Sequence, residues 1–341
     1  MTQLNFYPTQ DGQSMNYKNI GIIGNGSWGI ALSIALNFSK CNVSVFINSK
    51  KTYNELKQGK SRFLPNQFLP KEIKITTKIT DLRDTSLIFI VTPSQMVRKN
   101  LLIIKKNVRS KKNFILCSKG IENKSNKLMT EVFQDIYPGL EPIVLSGPNF
   151  SDEVSENLPT AFVLSCANKK KVKEVGKAIS NKNFRPYFNT DIIGTQIGGS
   201  MKNIIAIACG IVLGKKLGEN AKSSIMARGL KEMIMLGKSL GAKEKTFMGL
   251  SGLGDLNLSC NSIKSRNMLL GYKLGSGMKL KDINKEKNLN EGVASCKAIY
   301  NLSKIKKIEL PICSAVKEIL DGEPISNVIY KLLSRPLQFE I

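Results

Sequence analysis

The chain contains no histidine, so any general acid or base has to be another residue type. Lys202 is the leading candidate, because it lies in the apolar stretch GGSMKNIIAIACG, Gly198–Gly210, which we predict to open a helix. Lysine is rarely buried unless it is paired or functional, and removal from water disfavours its charged form. Such a lysine suits proton transfer. The alternative is a core-helix lysine whose amine reaches solvent.

Two further segments follow predicted strands directly. Lys119 lies in SKG after the strand FILC, and SGPNF, Ser146–Phe150, follows the strand IVL. Ligands bind at the carboxyl ends of parallel strands, so both segments are candidates to line a pocket. The alternative for Lys119 is an exposed loop lysine. Without histidine, a Ser-His-Asp triad and a histidine metal site are excluded, and we predict no metal site.

A glycine-rich segment in the second half carries polar groups suited to a phosphate. Asp255 lies at the centre of GLSGLGDLNLSCNSIKSRN, which ends in Ser265, Arg266 and Asn267 before the helix NMLLGYKL. Hydroxyl, guanidinium and amide donors at a helix N-terminus can hold a phosphate. In the alternative, Ser265 only caps the helix and Arg266 is a surface charge.

The motif GIIGNGSWG has the glycine spacing of a dinucleotide-binding loop. Gly24 would allow the tight turn, Gly26 would let a pyrophosphate approach the backbone, and Gly29 would let the helix pack on the sheet. An apolar run precedes the loop, and helical spacing of apolar residues follows it, as this motif requires. A glycine turn without ligand is the alternative.

The residues after the second predicted strand bear on the cofactor. NAD sites often carry a carboxylate there, bonded to the ribose hydroxyls. This chain instead has Asn48, Ser49, Lys50 and Lys51. Two cations and no carboxylate favour NADP(H), although NAD(H) stays possible because both lysines could simply be solvated.

Apolar patterning predicts the elements that position these residues. Short strands alternate with helices through the first half, typical of a parallel α/β sheet. The predicted strands are Asn19–Ile23, Val43–Ile47, Leu87–Val91, Phe114–Cys117, Pro142–Leu145 and Phe162–Ser165. From Gln196 onward we predict only helices, including Ala221–Leu240 and Asn290–Ser303. We therefore expect a disordered extension at 1–17, an α/β Rossmann domain at 18–195 and an all-α C-terminal domain at 196–341.

Composition narrows the class of protein. The chain has 341 residues, a net charge of +25 and seven cysteines without a C-x-x-C pair. The charge allows nucleic-acid binding, but the lysines are spread along the chain, so we favour a lysine-rich surface with sites for anionic ligands. Unpaired cysteines and the absence of a signal peptide predict a cytoplasmic protein. The apolar stretch Ile204–Leu213 is too short to span a membrane.

These segments, in this order, resemble the bacterial NAD(P)-dependent glycerol-3-phosphate dehydrogenases. The resemblance runs from residue 19 to about 335 and rests on GNGSWG, SRFLPNQFLP, VTPSQ, SKGIE, SGPNF, LPTA, QIGGSMKNIIAIACG, ARGLKEM, FMGLSGLGDL, SRN and NEG. It implies reversible hydride transfer between NAD(P)H and dihydroxyacetone phosphate. The product, sn-glycerol 3-phosphate, is a precursor of phospholipids. No nucleic acid is implied as a partner, and a homodimer is possible.

The resemblance also implies roles for individual residues. Lys202 matches the catalytic acid/base, with Lys119 and Asp255 beside it; two nearby cations disfavour each other's charge, which would help Lys202 exchange its proton. The implied cofactor contacts are Gly24, Gly26, Ser27, Trp28, Gly29, Asn48, Lys119, Ser151, Arg266, Leu289 and Glu291. The implied substrate contacts are Lys119, Gly147, Asn149, Lys202, Asp255, Ser265, Arg266 and Asn267.

Three positions depart from the family pattern. Asn48 stands where arginine or histidine is common, which weakens the NADPH preference unless Lys50 or Lys51 compensates. Asn149 replaces serine or threonine, and Ser151 replaces alanine; both changes are small and polar. Two rival hypotheses remain: a related reductase of another anionic substrate such as a hydroxy acid, and a non-catalytic protein that binds NADPH or nucleic acid.

Overall fold

The N-terminal half of the chain forms one sheet. The computed structural model describes residues 17–108, 112–283, 291–337 and 339. The strands are β1 (Asn19–Ile23), β2 (Asn42–Phe46), β3 (Lys74–Thr76), β4 (Leu87–Ile90), β5 (Asn113–Leu116), β6 (Ile143–Ser146), β7 (Thr160–Ser165) and β8 (Phe184–Asn189). They pair in the order β3-β2-β1-β4-β5-β6-β7-β8. The strands β2 and β3 are added on one side of β1, and the strands from β4 onward are added on the other side.

The pairing differs from the predicted all-parallel sheet in one place. β6 and β7 run antiparallel, whereas the other neighbouring strands are parallel. Sequence patterning also missed β3 and β8. Both are edge strands: β3 has only three residues, and β8 contains Pro186 and exposed aromatic residues. Edge strands lack the continuous apolar run of buried parallel strands.

Helices cover both faces of this sheet. They are α1 (Ser27–Phe38), α2 (Lys50–Lys57), α3 (Val97–Asn107), α4 (Met129–Ile136), α5 (Ser151–Ser155) and α6 (Lys169–Ile179), with short 3-10 helices at Ile79–Leu82 and Ser94–Met96. One apolar core joins the sheet to α1 and α6, and another joins it to α3 and α4. Tyr17, expected in the disordered extension, is 2% exposed within the first of these cores, so that residue belongs to the fold.

The remaining helices form a third core around one central helix. They are α7 (Ile192–Gly214), α8 (Glu219–Ser239), α9 (Glu244–Phe247), α10 (Asp255–Cys260), α11 (Arg266–Gly275), α12 (Leu280–Ile283), α13 (Glu291–Ile305), α14 (Pro311–Asp321) and α15 (Ile325–Leu333), with a π-helical turn at Leu250–Gly254. The predicted fold class, a Rossmann-type α/β part followed by a helical part, is confirmed.

The central helix α7 begins earlier than the sequence suggested. The Asp191 side chain caps it by accepting a hydrogen bond from Gly194 N at 2.8 Å. Lys202 therefore lies about three turns inside the helix, at 3.6 residues per turn, and not at its start. The same helix contains the predicted domain boundary at 195/196.

Helix α7 is long enough to cross a membrane, whereas the predicted apolar stretch Ile204–Leu213 is too short. Among the described helices it is the single one that passes a test of length and hydropathy, and 83% of its apolar window is buried inside the protein. Core helices of globular proteins commonly pass this test, and the packing around α7 is that of a core helix.

Glycines let α7 and α11 touch backbone to backbone. A Cβ on Gly210 would lie 2.1 Å from the carbonyl oxygen of Met268, and a Cβ on Gly271 would lie 2.0 Å from that of Ile207. No side chain fits at either position. The crossing therefore sets the position of α11 relative to α7.

A buried carboxylate joins α8 to α14. Glu232 is 4% exposed, and its carboxylate accepts hydrogen bonds from Ile312 N at 2.6 Å and Cys313 N at 3.1 Å. These amides open α14 after Pro311, so Glu232 caps that helix from a neighbouring element. Burial raises the pKa of Glu232 to about 7, although these hydrogen bonds oppose the rise.

Candidate functional site

Asp255 joins two lysines from different parts of the chain. It begins α10 and is fully buried. One carboxylate oxygen accepts a hydrogen bond from Lys119 Nζ at 2.6 Å, and the other from Lys202 Nζ at 2.7 Å. Lys202 Nζ also donates to Ser259 Oγ at 2.8 Å. The fold thus brings the strand-end lysine and the helix lysine together, as predicted.

The environment of these charges is largely dry. The side chains of Lys119 and Lys202 are 16% and 12% exposed. Burial lowers the pKa of Lys119 to about 8; the charge of Lys202 acts in the same direction, and Asp255 opposes both. The ammonium form of Lys119 is therefore less favoured than that of an exposed lysine. Two cations beside one carboxylate leave a net positive site, suited to stabilising negative charge on a reacting oxygen.

The segment before α11 has a helix-capping serine, and it also has an exposed arginine that could hold a phosphate. Ser265 caps the helix, since its hydroxyl accepts from Met268 N at 3.4 Å. Arg266 is exposed and has no ion pair among the described residues. Asn267 is 8% exposed; it donates to Asn203 Oδ1 at 2.9 Å and accepts from Gly292 N at 3.1 Å. An exposed guanidinium at a helix start can bind a phosphate.

The segment after β6 turns toward the lysine pair. Gly147 has φ +131°, and its carbonyl oxygen accepts from Lys119 Nζ at 2.8 Å. The side chain of Asn149 donates to Pro148 O at 2.8 Å, but its own oxygen is buried without a partner. A buried acceptor left unpaired is costly, so this oxygen is available for a ligand hydroxyl. Ser151 begins α5 on the same segment.

The glycine loop has the form that a dinucleotide needs. Gly24 has φ +128°, and a Cβ there would lie 2.4 Å from Val91 O. A Cβ on Gly29 would lie 2.0 Å from Gly24 O, whereas one on Gly26 would meet open space. The first and third glycines are therefore required by packing, and the middle one leaves room for a ligand.

Helix α1, which follows this loop, begins with backbone amides that suit an anion. It begins at Ser27 without a side-chain cap or an acidic residue in its first turn. Its first amides and the helix dipole therefore favour a phosphate. The indole Nε1 of Trp28 is buried there without a hydrogen-bond partner. These features fit a nicotinamide dinucleotide.

The end of β2 carries positive charge, as predicted. Asn48, Lys50 and Lys51 are all exposed, and the two lysines, in the first turn of α2, have no ion pair among the described residues. Of the other predicted cofactor residues, Leu289 lies outside the described residues.

The remaining one, Glu291, is partly buried at the start of α13. Its carboxylate accepts from Ser94 N at 3.0 Å and from Ser94 Oγ at 2.7 Å. Burial raises the pKa of Glu291, while these hydrogen bonds oppose the rise. Ser94 begins the short 3-10 helix after β4, so this contact joins the helical part to the sheet part of the chain.

Sequence reasoning missed three residues that support the site: Ser94, Asn203 and Ser259. Asn203 donates to Lys119 O at 3.2 Å and also bonds Asn267, so it links two predicted segments. A polar residue directly after Lys202 in an apolar helix was the available signal for Asn203. Ser94 lies within VTPSQ, one of the segments that carry the resemblance, but the residue type alone gives no signal of its bond to Glu291.

Two family models match the chain in sequence order. The model described as NAD-dependent glycerol-3-phosphate dehydrogenase N-terminus matches residues 19–172, and its C-terminus counterpart matches residues 191–330. The chain belongs to the NAD-dependent glycerol-3-phosphate dehydrogenase family. Membership makes it an NAD(P)-dependent oxidoreductase, which fits the loop and the lysine pair.

The chain is similar over nearly its whole length to known glycerol-3-phosphate dehydrogenases, in sequence and in structure. A glycerol-3-phosphate dehydrogenase [NAD(P)+] from Hyphomonas neptunium is 40% identical over 96% of this chain and 98% of its own length. The enzyme of the same name from Caulobacter vibrioides is 40% identical over 96% and 100%. A crystal structure of the Coxiella burnetii enzyme superposes with a TM-score of 0.90 at 33% identity, covering 94% of this chain and 100% of that one.

Proposed function

We propose that this enzyme reduces dihydroxyacetone phosphate to sn-glycerol 3-phosphate with NAD(P)H, reversibly, and supplies glycerophospholipid synthesis. The observation that carries the proposal is the buried Asp255 carboxylate, which holds Lys119 and Lys202 together where the sheet meets α7. Family membership supports the substrate and the cofactor class. The seven buried free thiols support a reducing compartment, such as the cytoplasm.

Lys202 moves the proton in this mechanism. In reduction its ammonium donates a proton to the C2 oxygen of the substrate, and in oxidation its amine accepts that proton. When bound, the nicotinamide supplies or accepts the hydride at C2. Lys119 stabilises negative charge on the oxygen, and Asp255 keeps both ammonium groups aligned, since each bonds a different carboxylate oxygen.

The phosphate of the substrate binds at the start of α11. Arg266 supplies the charge, and the hydroxyl proton of Ser265 is free to donate, because its oxygen already accepts as the helix cap. Asn267 holds the backbone of this turn through its two hydrogen bonds. Gly147 and Asn149 bind substrate from the other side. Binding energy at the phosphate thereby positions the reacting carbon.

The cofactor binds across the carboxyl ends of β1 and β4. Gly24, Gly26 and Gly29 form the loop, and Ser27 and Trp28 open the helix that receives the pyrophosphate. Lys119, Ser151, Arg266 and Glu291 complete the cofactor side. The positive charge after β2 favours NADP(H) over NAD(H), with Asn48 bonding the ribose.

A spectrophotometric assay tests the proposed reaction. Oxidation of NADPH and of NADH is followed separately, with dihydroxyacetone phosphate and with dihydroxyacetone lacking the phosphate. We expect turnover only with the phosphorylated substrate and a lower KM for NADPH. Turnover of a hydroxy-acid precursor instead would indicate another reductase. Absence of turnover together with salt-sensitive DNA binding would indicate a non-catalytic protein.

A further inference from the structure

The Arg62 side chain contacts the start of the helix that follows β2, ten residues before it in the chain. Its Nη2 donates to Thr52 Oγ1 at 3.1 Å, and its Nε lies 3.7 Å from Glu55 Oε2. Thr52 is in the first turn of α2, the turn that also carries Lys50 and Lys51. A third cation, Arg62, therefore contacts the turn that carries the two lysines.

A structured loop holds Arg62 in this place. The backbone of Leu69 bonds back to Gly59 O at 3.0 Å and closes the loop, while the side chains of Leu64 and Leu69 are buried in the core. The guanidinium also stacks on the neighbouring Phe63, with 4.9 Å from its central carbon to the ring centroid. Its position thus comes from packing and stacking, since the contact to Glu55 is long.

The guanidinium keeps most of its binding capacity. An arginine carries five N–H donors, and the hydrogen bond to Thr52 uses one of them. The side chain is 46% exposed, so the remaining donors are open to a ligand. Glu55 offsets part of the charge, but Lys50 and Lys51 have no ion pairs among the described residues. This corner of the sheet, formed by Arg62 and the first turn of α2, therefore stays positive.

This corner is where a bound dinucleotide places its adenosine ribose, at the carboxyl end of the second strand. We propose that Arg62 binds the 2′-phosphate of NADP(H) and supplies the charge that Asn48 lacks. The planar fork of arginine matches a phosphate better than a lysine ammonium does. The inference rests on the proposed preference for NADP(H) and names the residue responsible for it.

Equilibrium binding of two cofactor fragments tests this role without turnover. Titration calorimetry measures the affinity of adenosine 2′,5′-bisphosphate and of AMP, which differ only in the 2′-phosphate. For Arg62→Ala we expect at least ~10-fold weaker binding of the bisphosphate and an AMP affinity within about twofold of wild type. For Arg62→Lys we expect an affinity for the bisphosphate between those of the wild type and Arg62→Ala. Arg83→Ala, which removes an arginine bonded to Asn107 O instead, leaves both affinities unchanged.

The binding results distinguish failure of the Arg62 assignment from failure of the NADP(H) preference. If the wild type prefers the bisphosphate and Arg62→Ala keeps that preference, the Arg62 assignment is overturned alone. Equal loss of both fragments would assign Arg62 a purely structural role and overturn it too. A wild type that binds both fragments equally overturns the NADP(H) preference together with Arg62. Failure of the proposed reaction would be seen separately, as no oxidation of NADPH with dihydroxyacetone phosphate.

Discussion

Replacing Asp255 by asparagine should disable both lysines at once. The two side chains have nearly the same size, so the change removes charge with little change in packing. Asparagine offers one acceptor oxygen and one NH₂ donor, whereas the carboxylate accepts from Lys119 at 2.6 Å and from Lys202 at 2.7 Å. In the variant one ammonium therefore faces a donor, and two buried cations lose their shared counter-charge.

The expected magnitudes follow from this burial. Removing one partner from a buried ion pair costs about 3–5 kcal/mol of folding free energy, because the remaining charge stays desolvated. Asp255 also opposes the fall in the pKa of Lys119, so the variant should lower that pKa below its present value of about 8. We expect kcat to fall at least ~10²-fold, since both the proton donor and the positive field lose alignment.

The assay is oxidation of NADPH by dihydroxyacetone phosphate, measured from about pH 6 to about pH 9. In the wild type, kcat/KM should decline as pH rises through the pKa of Lys119 near 8, because its positive charge is lost. In Asp255→Asn this decline should move to lower pH. Asp255→Glu keeps the negative charge, so its kcat/KM should decline at the same pH as that of the wild type. This prediction is wrong if Asp255→Asn shows the decline of kcat/KM at the wild-type pH and a kcat within about threefold of wild type.

Three further substitutions test other parts of the site and fold. Lys202→Ala should lose at least ~10²-fold in kcat with near-normal cofactor affinity; near-normal turnover would exclude Lys202 as the proton donor. Arg266→Ala should mainly raise the KM for dihydroxyacetone phosphate, and an unchanged KM would contradict the phosphate site. Glu232 has a folded-state pKa raised to about 7, so its contribution to stability is present below its ordinary pKa and is lost as pH rises through 7. In thermal unfolding, the wild type should therefore lose stability relative to Glu232→Gln between about pH 5 and about pH 8; a pH-independent difference would contradict the raised pKa.

Features set by local sterics could be predicted from the sequence. Within the glycine loop, Gly29 is needed because a Cβ would lie 2.0 Å from the carbonyl oxygen of Gly24, only five residues earlier. The lysine candidates were identifiable because a charge in an apolar stretch is costly wherever the stretch lies.

Features set by tertiary contacts could not be predicted. The bonds from Asp255 to both lysines depend on how α10 packs against α7 and the sheet, which spacing in sequence does not encode. The antiparallel direction of β7 is equally invisible, since an apolar run reads the same both ways. The early start of α7 was missed because its glycines have low helix propensity, while the Asp191 cap and burial outweigh that cost.

The glycine contact between α7 and α11 has a consequence for which substrates the enzyme accepts. Lys202 lies on one helix and Arg266 opens the other, and the two backbones touch at Gly210 and Gly271 with no side chain between them. The contact sets the spacing of the two helix backbones, and in the proposed mechanism this spacing limits how far apart the carbonyl at Lys202 and the phosphate at Arg266 can lie. We therefore expect slower turnover of a ketose phosphate with one more carbon between these groups, and a changed chain-length preference when an alanine at Gly271 forces the two helices apart.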